Sequence, residues 1–306
     1  MKKYSDTSIE QSRICFIAFS FLIFTLVSFQ LKGFTQEIDN SMHRTNVKGI
    51  SIAFQKVGAG TPLVLLHGFT QDSRIWKLQI ENLSKNFTVV AWDAPGAGQS
   101  ADPSESFGIG EYADCLKAFL DSVGVKKAHM LGLSWGGLLA QEFFFRYPTY
   151  VISLALADTY AGWTGSLSDS IARARLASCI KDSSLPPSEF VSKYLSGMFS
   201  DSPPQDAKKD LAKIMFDTHP LGFRLMATAL AIADTRRLLP TINVPTILIW
   251  GDADKRSPIN VAHQLHSLIP NSKLVIISNA GHVSNMEKSE EFNKIVREFC
   301  MKISSK

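Results

Sequence analysis

Several residues that could build a nucleophilic catalytic group follow apolar runs in this chain. Ser134 lies in Gly-Leu-Ser-Trp-Gly-Gly, after one apolar run and before a helix-like stretch. Asp252 and Asp254 follow another apolar run, and His282 follows a later one. A serine hydroxyl is a weak nucleophile unless an imidazole accepts its proton and a carboxylate orients that imidazole. A serine, an acid and a histidine in this order therefore indicate acyl transfer through an activated serine.

The glycines around Ser134 favour a sharp turn between a strand and a helix. Because Gly132 and Gly136 have no Cβ atom, the strand and the helix can approach closely. A strained turn of this kind would raise the serine hydroxyl above a sheet. The same short string also occurs in ordinary glycine-rich turns, so its meaning depends on the elements and motifs around it.

Strand-like and helix-like runs alternate from Ile50 to Ala157 and again from Val244 onward. This alternation is typical of an α/β protein with a mostly parallel sheet and flanking helices. In such a sheet the carboxyl ends of the strands meet at one edge, where residues that follow each strand come together. A chain of 306 residues with 45% hydrophobic content can bury a sizeable core around this sheet.

Four motifs in register make the chain similar to the α/β-hydrolase fold family over roughly residues 45 to 302. They are the Gly-x-Ser-x-Gly stretch, the loop His67-Gly68-Phe69, the Asp-x-Pro-Gly-x-Gly-x-Ser turn at 93–100, and the acid and histidine segments. The resemblance implies an α/β-hydrolase fold and a serine hydrolase that needs no cofactor.

The resemblance also implies a role for each site residue. Ser134 would be the nucleophile, His282 the base and Asp254 the acid that orients the base. The backbone N–H groups of Phe69 and Trp135 would form the oxyanion hole, which stabilises the negative charge that develops on the attacked carbonyl. We expect the rings of these two residues to line the substrate pocket.

Two other aspartates compete with Asp254 for the orienting role. Asp252 follows the same apolar run, and Asp158 follows the run 154–157, after which some relatives place the acid. The Gly-x-x-Asp spacing of the family favours Asp254. His67 is expected to be a structural histidine beneath its loop.

The sequence predicts no metal, no cofactor and no nucleic-acid partner. His263 and His266 have helical spacing, but no third suitable ligand stands nearby. The Asp-x-Asp at 252–254 begins like a calcium loop, yet Arg256 and Pro258 occupy later positions of that loop. No Gly-Lys-Ser/Thr phosphate motif is present, and a net charge of +4 is mild for a protein that binds nucleic acid.

Between about residues 160 and 240 the alternation gives way to a helical pattern, and the resemblance implies a cap inserted into a catalytic domain at 41–306. Arg173, Arg175 and Arg224 in this segment could bind a substrate carboxylate through bidentate hydrogen bonds. Apolar residues there that could line the pocket are Tyr160, Trp163, Phe190, Met198, Phe199, Met215, Phe216, Phe223 and Met226.

Residues 1–40 are predicted to be an anchor or signal segment. The stretch from Ile14 to Leu31 has no charged residue, which is near the lower limit for a membrane-spanning helix, and basic residues precede it. We therefore predict membrane association, with the catalytic domain outside the cytoplasm. A cleaved signal would instead give a secreted protein, and a native start at Met42 would give a cytoplasmic one.

The predicted reaction is hydrolysis of a small carboxylic ester or lactone through an acyl-enzyme. The segments around Ser134 and His282 look most like enol-lactonases and related small esterases. A perhydrolase or haloperoxidase-like activity on the same triad is an alternative. Another is a small-ligand-binding protein on this scaffold that turns its ligand over slowly or never. The oligomeric state stays open.

Overall fold

The computed structural model describes residues 41–305. The predicted anchor from Ile14 to Leu31 lies outside these residues and stays a prediction. Within the described range, no helix combines the length and the apolar character that crossing a membrane requires.

A mostly parallel sheet forms the centre of the fold. Its strands are β1 (His43–Val47), β2 (Ile50–Val57), β3 (Pro62–Leu66), β4 (Thr88–Trp92), β5 (Ala128–Leu133), β6 (Val151–Ala157), β7 (Thr246–Gly251) and β8 (Lys273–Ile277). The 8-stranded sheet has the order β1-β2-β4-β3-β5-β6-β7-β8. β2 pairs antiparallel with β1 and with β4, and the remaining neighbours pair in parallel. The predicted α/β class with a mostly parallel sheet is confirmed.

The helices follow the strands along the chain. They are α1 (Lys77–Leu83), α2 (Ile109–Ser122), α3 (Trp135–Arg146), α4 (Trp163–Ser166), α5 (Asp169–Asp182), α6 (Pro187–Leu195), α7 (Gln205–Phe216), α8 (Pro220–Ile232), α9 (Ile259–Leu268), α10 (Ser284–Glu287) and α11 (Ser289–Ser304). Every residue of β5 and β7 is buried, so both faces of these strands are covered. Continuous apolar strands of this kind are typical of parallel sheets.

The register of the central strands brings their carboxyl ends to one edge. Leu66 at the end of β3 pairs with Gly132 in β5, and Leu133 at the end of β5 pairs with Ala157 at the end of β6. β7 and β8 continue the parallel pairing. The loops that follow these strands therefore meet at the same edge, which is where an open α/β sheet places its ligand site.

Between β6 and β7 the chain forms helices and turns, without a strand, from α4 to α8. Prolines punctuate this segment: Pro187 is the first residue of α6, and Pro204 directly precedes α7. A proline suits the start of a helix because the N–H it lacks would have no partner there. In the segment, α5 packs against α8 and α6 against α7.

Candidate active site

Ser134 sits in a strained turn between β5 and α3. Its backbone has φ 53° and ψ −113°, a conformation that a residue with a Cβ atom rarely adopts. A Cβ on Gly132 would lie 2.3 Å from the carbonyl oxygen of Gly136, and one on Gly136 would lie 2.1 Å from that of Leu66. The two glycines are therefore required for the close contact of helix and strand that shapes this turn.

The structure brings Ser134, His282 and Asp254 into one hydrogen-bonded chain. His282 Nε2 lies 2.9 Å from Ser134 Oγ, and His282 Nδ1 lies 2.8 Å from Asp254 Oδ2. A carboxylate only accepts hydrogen bonds, so Nδ1 carries the proton of the imidazole. Nε2 is then free to accept a hydrogen bond from the hydroxyl of Ser134. All three residues are at least 94% buried, with exposed fractions of 4%, 3% and 6%.

Backbone amides hold the carboxylate of Asp254 in this orientation. Asp254 Oδ1 accepts hydrogen bonds from the N–H groups of Arg256 at 2.7 Å and Ser257 at 2.9 Å. The other oxygen, Oδ2, is left to face the imidazole. The loop after β7 thereby presents one defined carboxylate oxygen to His282.

The two competing aspartates do not hydrogen-bond to His282. Asp252 is exposed, on the same loop. Asp158 is fully buried, and it accepts hydrogen bonds from the Gly251 N–H at 2.9 Å and the Ser284 hydroxyl at 2.6 Å. Burial, and then the nearby charge of Asp254, raises the pKa of Asp158 well above its ordinary value. Neither side chain hydrogen-bonds to His282 among the described residues.

The raised pKa of Asp158 predicts a pH-dependent gain of stability for Asp158→Asn. Above the unfolded-state pKa, near 4, the folded protein binds more protons than the unfolded chain, so the parent loses stability as pH rises. Asn does not titrate and keeps a carbonyl for the Gly251 N–H. The melting temperature of the variant relative to the parent should therefore increase as pH rises above about 4. A variant that becomes relatively less stable with rising pH would contradict this account.

The amide groups of Phe69 and Trp135 flank the serine turn with unused donors. Neither backbone N–H has a hydrogen-bond acceptor among residues 41–305. Trp135 is the first residue of α3, where helix N–H groups are free and the helix dipole is positive. The neighbouring Gly68 N–H is already used, because it donates to Gln71 Oε1 at 3.0 Å.

The rings of Phe69 and Trp135 lie in different places. Phe69 lines a cavity beside Ser134 and His282, as expected. The expectation for the Trp135 ring is wrong, because the ring is fully buried and packs edge-on against Tyr112, with ring centroids 4.9 Å apart. Trp135 could therefore contact a ligand through its amide but not through its ring.

The cavity has a volume of about 370 Å³ and a mixed lining. From the connection between β6 and β7, Tyr160, Trp163 and Met198 line it. Of the three arginines considered from sequence, Arg175 lines the cavity. Arg173 and Arg224 lie outside it and pair with Asp169 and Glu105 on the surface. The other apolar residues proposed for the lining, Phe190, Phe199, Met215, Phe216, Phe223 and Met226, do not reach the cavity.

Several lining residues were not identified from the sequence as parts of a pocket. They are Gln71, Ile171, Ala174, Ser178, Cys179, Lys193, Tyr194, Leu230 and Arg256. Among these residues, Arg256 has the clearest sequence signal for a place in the pocket, because it follows Asp254 by two residues in the same loop. Tyr194 and Lys193 lie on α6, whose rotation relative to the sheet has no marker in the sequence.

His67 and Asp93 stabilise the loops around the site. His67 Nε2 accepts the Ala94 N–H at 3.0 Å, and burial lowers the pKa of this histidine. Asp93 accepts the N–H groups of Ser73 and Gln99, both at 2.8 Å. Both motif residues therefore support loops, which agrees with a structural role for His67.

Comparison with known proteins identifies the family to which this site geometry belongs. A model described as the alpha/beta hydrolase family matches residues 63–295. A pimeloyl-[acyl-carrier protein] methyl ester esterase of Aliivibrio fischeri (strain MJ11) is 29% identical over 258 residues, covering 81% of this chain and 97% of that protein.

Solved structures of other proteins have the same fold. A thermophilic esterase from Thermogutta terrifontis has a TM-score of 0.79 and 26% identity, and the match covers 86% of this chain and 99% of that one. The enol-lactonase from Burkholderia xenovorans LB400 has a TM-score of 0.77 at 24% identity, over 85% of this chain and 100% of that one, and shows the fold alone. The predicted class, a hydrolase of the carboxylesterase kind, is confirmed by the family match and by the two relatives named as esterases. The chain belongs to the alpha/beta hydrolase family.

Proposed function

We propose that this chain hydrolyses small carboxylic esters through an acyl-enzyme formed on Ser134. The observation that carries the proposal is the continuous hydrogen-bonded chain from Ser134 Oγ through His282 to Asp254, at the wall of a cavity of about 370 Å³. A serine beside an oriented imidazole is an activated nucleophile. A cavity of this size lies at the small end of small-molecule sites.

The first half of the reaction forms the acyl-enzyme. Ser134 Oγ attacks the ester carbonyl while His282 Nε2 takes the hydroxyl proton, and the carbonyl oxygen becomes an oxyanion. In this proposal the free N–H groups of Phe69 and Trp135 donate to that oxyanion, a contribution of about 3–4 kcal/mol for one such donor. His282 then returns the proton to the alcohol, which leaves as the carbon–oxygen bond breaks.

The second half releases the acid. His282 Nε2 takes a proton from water, the hydroxide attacks the acyl carbonyl, and the same two N–H groups meet the second oxyanion. Collapse of this intermediate breaks the bond to Ser134 Oγ, which recovers its proton from His282. The carboxylate of Asp254 stabilises the imidazolium that forms in each half.

The helical segment from α4 to α8 is proposed to act as a cap that selects the substrate. Trp163 and Arg175 of this segment line the cavity together with Tyr160, which precedes α4, and with Ser134 and His282. Relatives named as esterases favour an ester, whereas a lactone substrate rests on the resemblance of the motifs to enol-lactonases. A ligand-binding protein without turnover would have no use for a complete serine–histidine–aspartate chain.

Covalent labelling tests the proposal directly. Incubation of the folded protein with a fluorophosphonate should give one adduct per chain, which peptide mass spectrometry locates on Ser134. The adduct forms because the activated oxygen attacks phosphorus as it would attack a carbonyl. A panel of p-nitrophenyl esters of increasing acyl length then measures turnover.

Two controls make the labelling decisive. Heat-denatured protein has the same serines without the hydrogen-bonded chain and should not react. The Ser134→Ala variant should stay unlabelled while folded. An adduct on another residue, or folded parent protein that neither reacts nor turns over any ester, would overturn the proposal.

A further inference from the structure

The cavity beside Ser134 carries an excess of positive charge. Its lining contains Arg175, Lys193 and Arg256, and no carboxylate among the described residues that line it. Lys193 is compensated, because its Nζ pairs with Asp182. Neither guanidinium has a carboxylate within ion-pair distance in the described part of the chain, so two positive charges face the cavity without an anionic partner.

Arg256 is held in place by contacts that leave part of its hydrogen-bonding capacity unused. Its Nη2 donates to the backbone carbonyl oxygens of Tyr194 and Ser196, the latter at 3.1 Å, and its guanidinium lies 5.6 Å from the centroid of the Tyr194 ring. Its Nε is buried and has no acceptor. Burial, and after it the nearby charge of Arg175, lowers the pKa of Arg256. A buried guanidinium donor without a partner costs free energy, so the protein itself does not fully compensate this arginine.

Arg175 lies next to Arg256 and close to the reacting end of the cavity. Its Nη2 donates to the backbone oxygen of Arg256 at 3.0 Å, and its Nη1 donates to the Tyr160 hydroxyl at 3.3 Å. The Tyr160 ring is 6.2 Å from the His282 ring, centroid to centroid. The hydroxyl of Tyr160 has no acceptor for its own proton in the described residues. Two guanidiniums and one hydroxyl donor therefore surround the same part of the cavity.

We propose that Arg175 and Arg256, with the Tyr160 hydroxyl, bind a carboxylate carried by the substrate away from its ester bond. The preferred substrates are thus half-esters of dicarboxylic acids or close analogues. The inference rests on the proposed ester hydrolysis and adds the charge of the substrate to it. A carboxylate matches the planar fork of a guanidinium and relieves the repulsion between the two arginines. The small cavity favours a carboxylate on a short chain.

A matched pair of esters tests the charge preference. Monomethyl adipate and methyl hexanoate have the same acyl chain length, and only the first has a free carboxylate. The ratio of their kcat/KM values, measured by acid release in a pH-stat, should favour monomethyl adipate by about 10- to 100-fold in the parent protein. Arg175→Gln should reduce this ratio by at least about tenfold, and Arg175→Lys should keep part of it because the charge remains.

Arg173→Gln is the matched control. Arg173 lies on the same helix and is exposed, with a surface pair to Asp169, so its loss should not change the ratio. A methyl ester with a terminal phosphate group on a similar chain separates anion types. Preference for the phosphate ester over monomethyl adipate would overturn the assignment of a carboxylate. Equal ratios in parent and Arg175→Gln would show that Arg175 has only a structural role and would overturn the inference.

Calorimetric titration of the same two esters into the Ser134→Ala protein measures binding without turnover. Tighter binding of monomethyl adipate, lost in the Ser134→Ala, Arg175→Gln double variant, supports the anion site even if no ester is turned over. Binding without charge preference overturns it. Parent protein that hydrolyses neutral esters but shows no charge preference refutes only this inference. Absence of both labelling and turnover refutes the proposed function itself.

Discussion

Ser134→Ala should lower kcat for any ester substrate by roughly 10⁵- to 10⁶-fold while the protein stays folded. Alanine removes the attacking oxygen and the acceptor of the acyl group, and nothing else in the described site has a hydroxyl hydrogen-bonded to His282. The residual rate, about 10³-fold above the uncatalysed reaction, would come from the oxyanion donors and from binding. The turn already holds a residue with a Cβ atom at φ 53°, so alanine fits the same backbone.

The measurement is steady-state turnover of a p-nitrophenyl ester, with the melting temperature as the check on folding. Ser153→Ala is the matched control, because Ser153 is also a buried serine. It lies in β6, contacts His129 and does not line the cavity. It should keep parent turnover. A Ser134→Ala protein with more than about one hundredth of parent kcat would exclude Ser134 as the nucleophile, because acyl-enzyme formation could not proceed through it.

The α/β class and the position of the site loops at one edge of the sheet could be predicted from the sequence, because both depend on patterns within short stretches of the chain. Alternating apolar runs identify strands and helices, and parallel pairing then forces the loops after the strands to one edge. The glycines at 132 and 136 are also visible locally, since only glycine permits the contacts that the turn makes. These features need no knowledge of how distant helices are rotated.

The walls of the cavity could not be predicted in the same way. Arg173 and Arg175 look equivalent in the sequence, but residues two apart on a helix point about 200° apart, so only one of them can face the cavity. Which one does so depends on how α5 packs against α8. The direction of the Trp135 ring could not be predicted for a related reason, because it depends on packing against Tyr112 in the core.

Asp254 differs from Asp252 in a local turn, in addition to the family spacing. Asp254 Oδ1 accepts the N–H groups two and three residues later, at Arg256 and Ser257. Aspartate commonly forms such turns with the amides that follow it. An aspartate engaged in this turn has a fixed orientation, which a residue that must orient an imidazole requires. Asp252 lacks an equivalent contact among the described residues and is exposed.

Asp254→Asn should reduce kcat/KM by about 10⁴-fold near neutral pH with little change in fold. The two backbone N–H groups require an oxygen at the Oδ1 position, so the carboxamide would place its NH₂ group at the Oδ2 position, facing His282 Nδ1. An NH₂ group there cannot accept a hydrogen bond from the imidazole Nδ1–H, so it favours the tautomer with the proton on Nε2. That tautomer cannot accept the proton of Ser134, and the stabilisation of the imidazolium is lost as well.

Asp158→Asn is the matched comparison because Asp158 is also buried, lies near Asp254 and follows the neighbouring strand. Its contacts are to Gly251 and Ser284 and not to the histidine, so its kcat/KM should fall less than about tenfold. Fluorophosphonate labelling rates give a second measurement of nucleophile activation that does not depend on the choice of ester. Asp254→Asn should slow labelling strongly, whereas Asp158→Asn should leave it close to that of the parent. The reverse order of the two variants would move the orienting role to Asp158, and the hydrogen bond between Asp254 and His282 would then serve only to position the loop after β7.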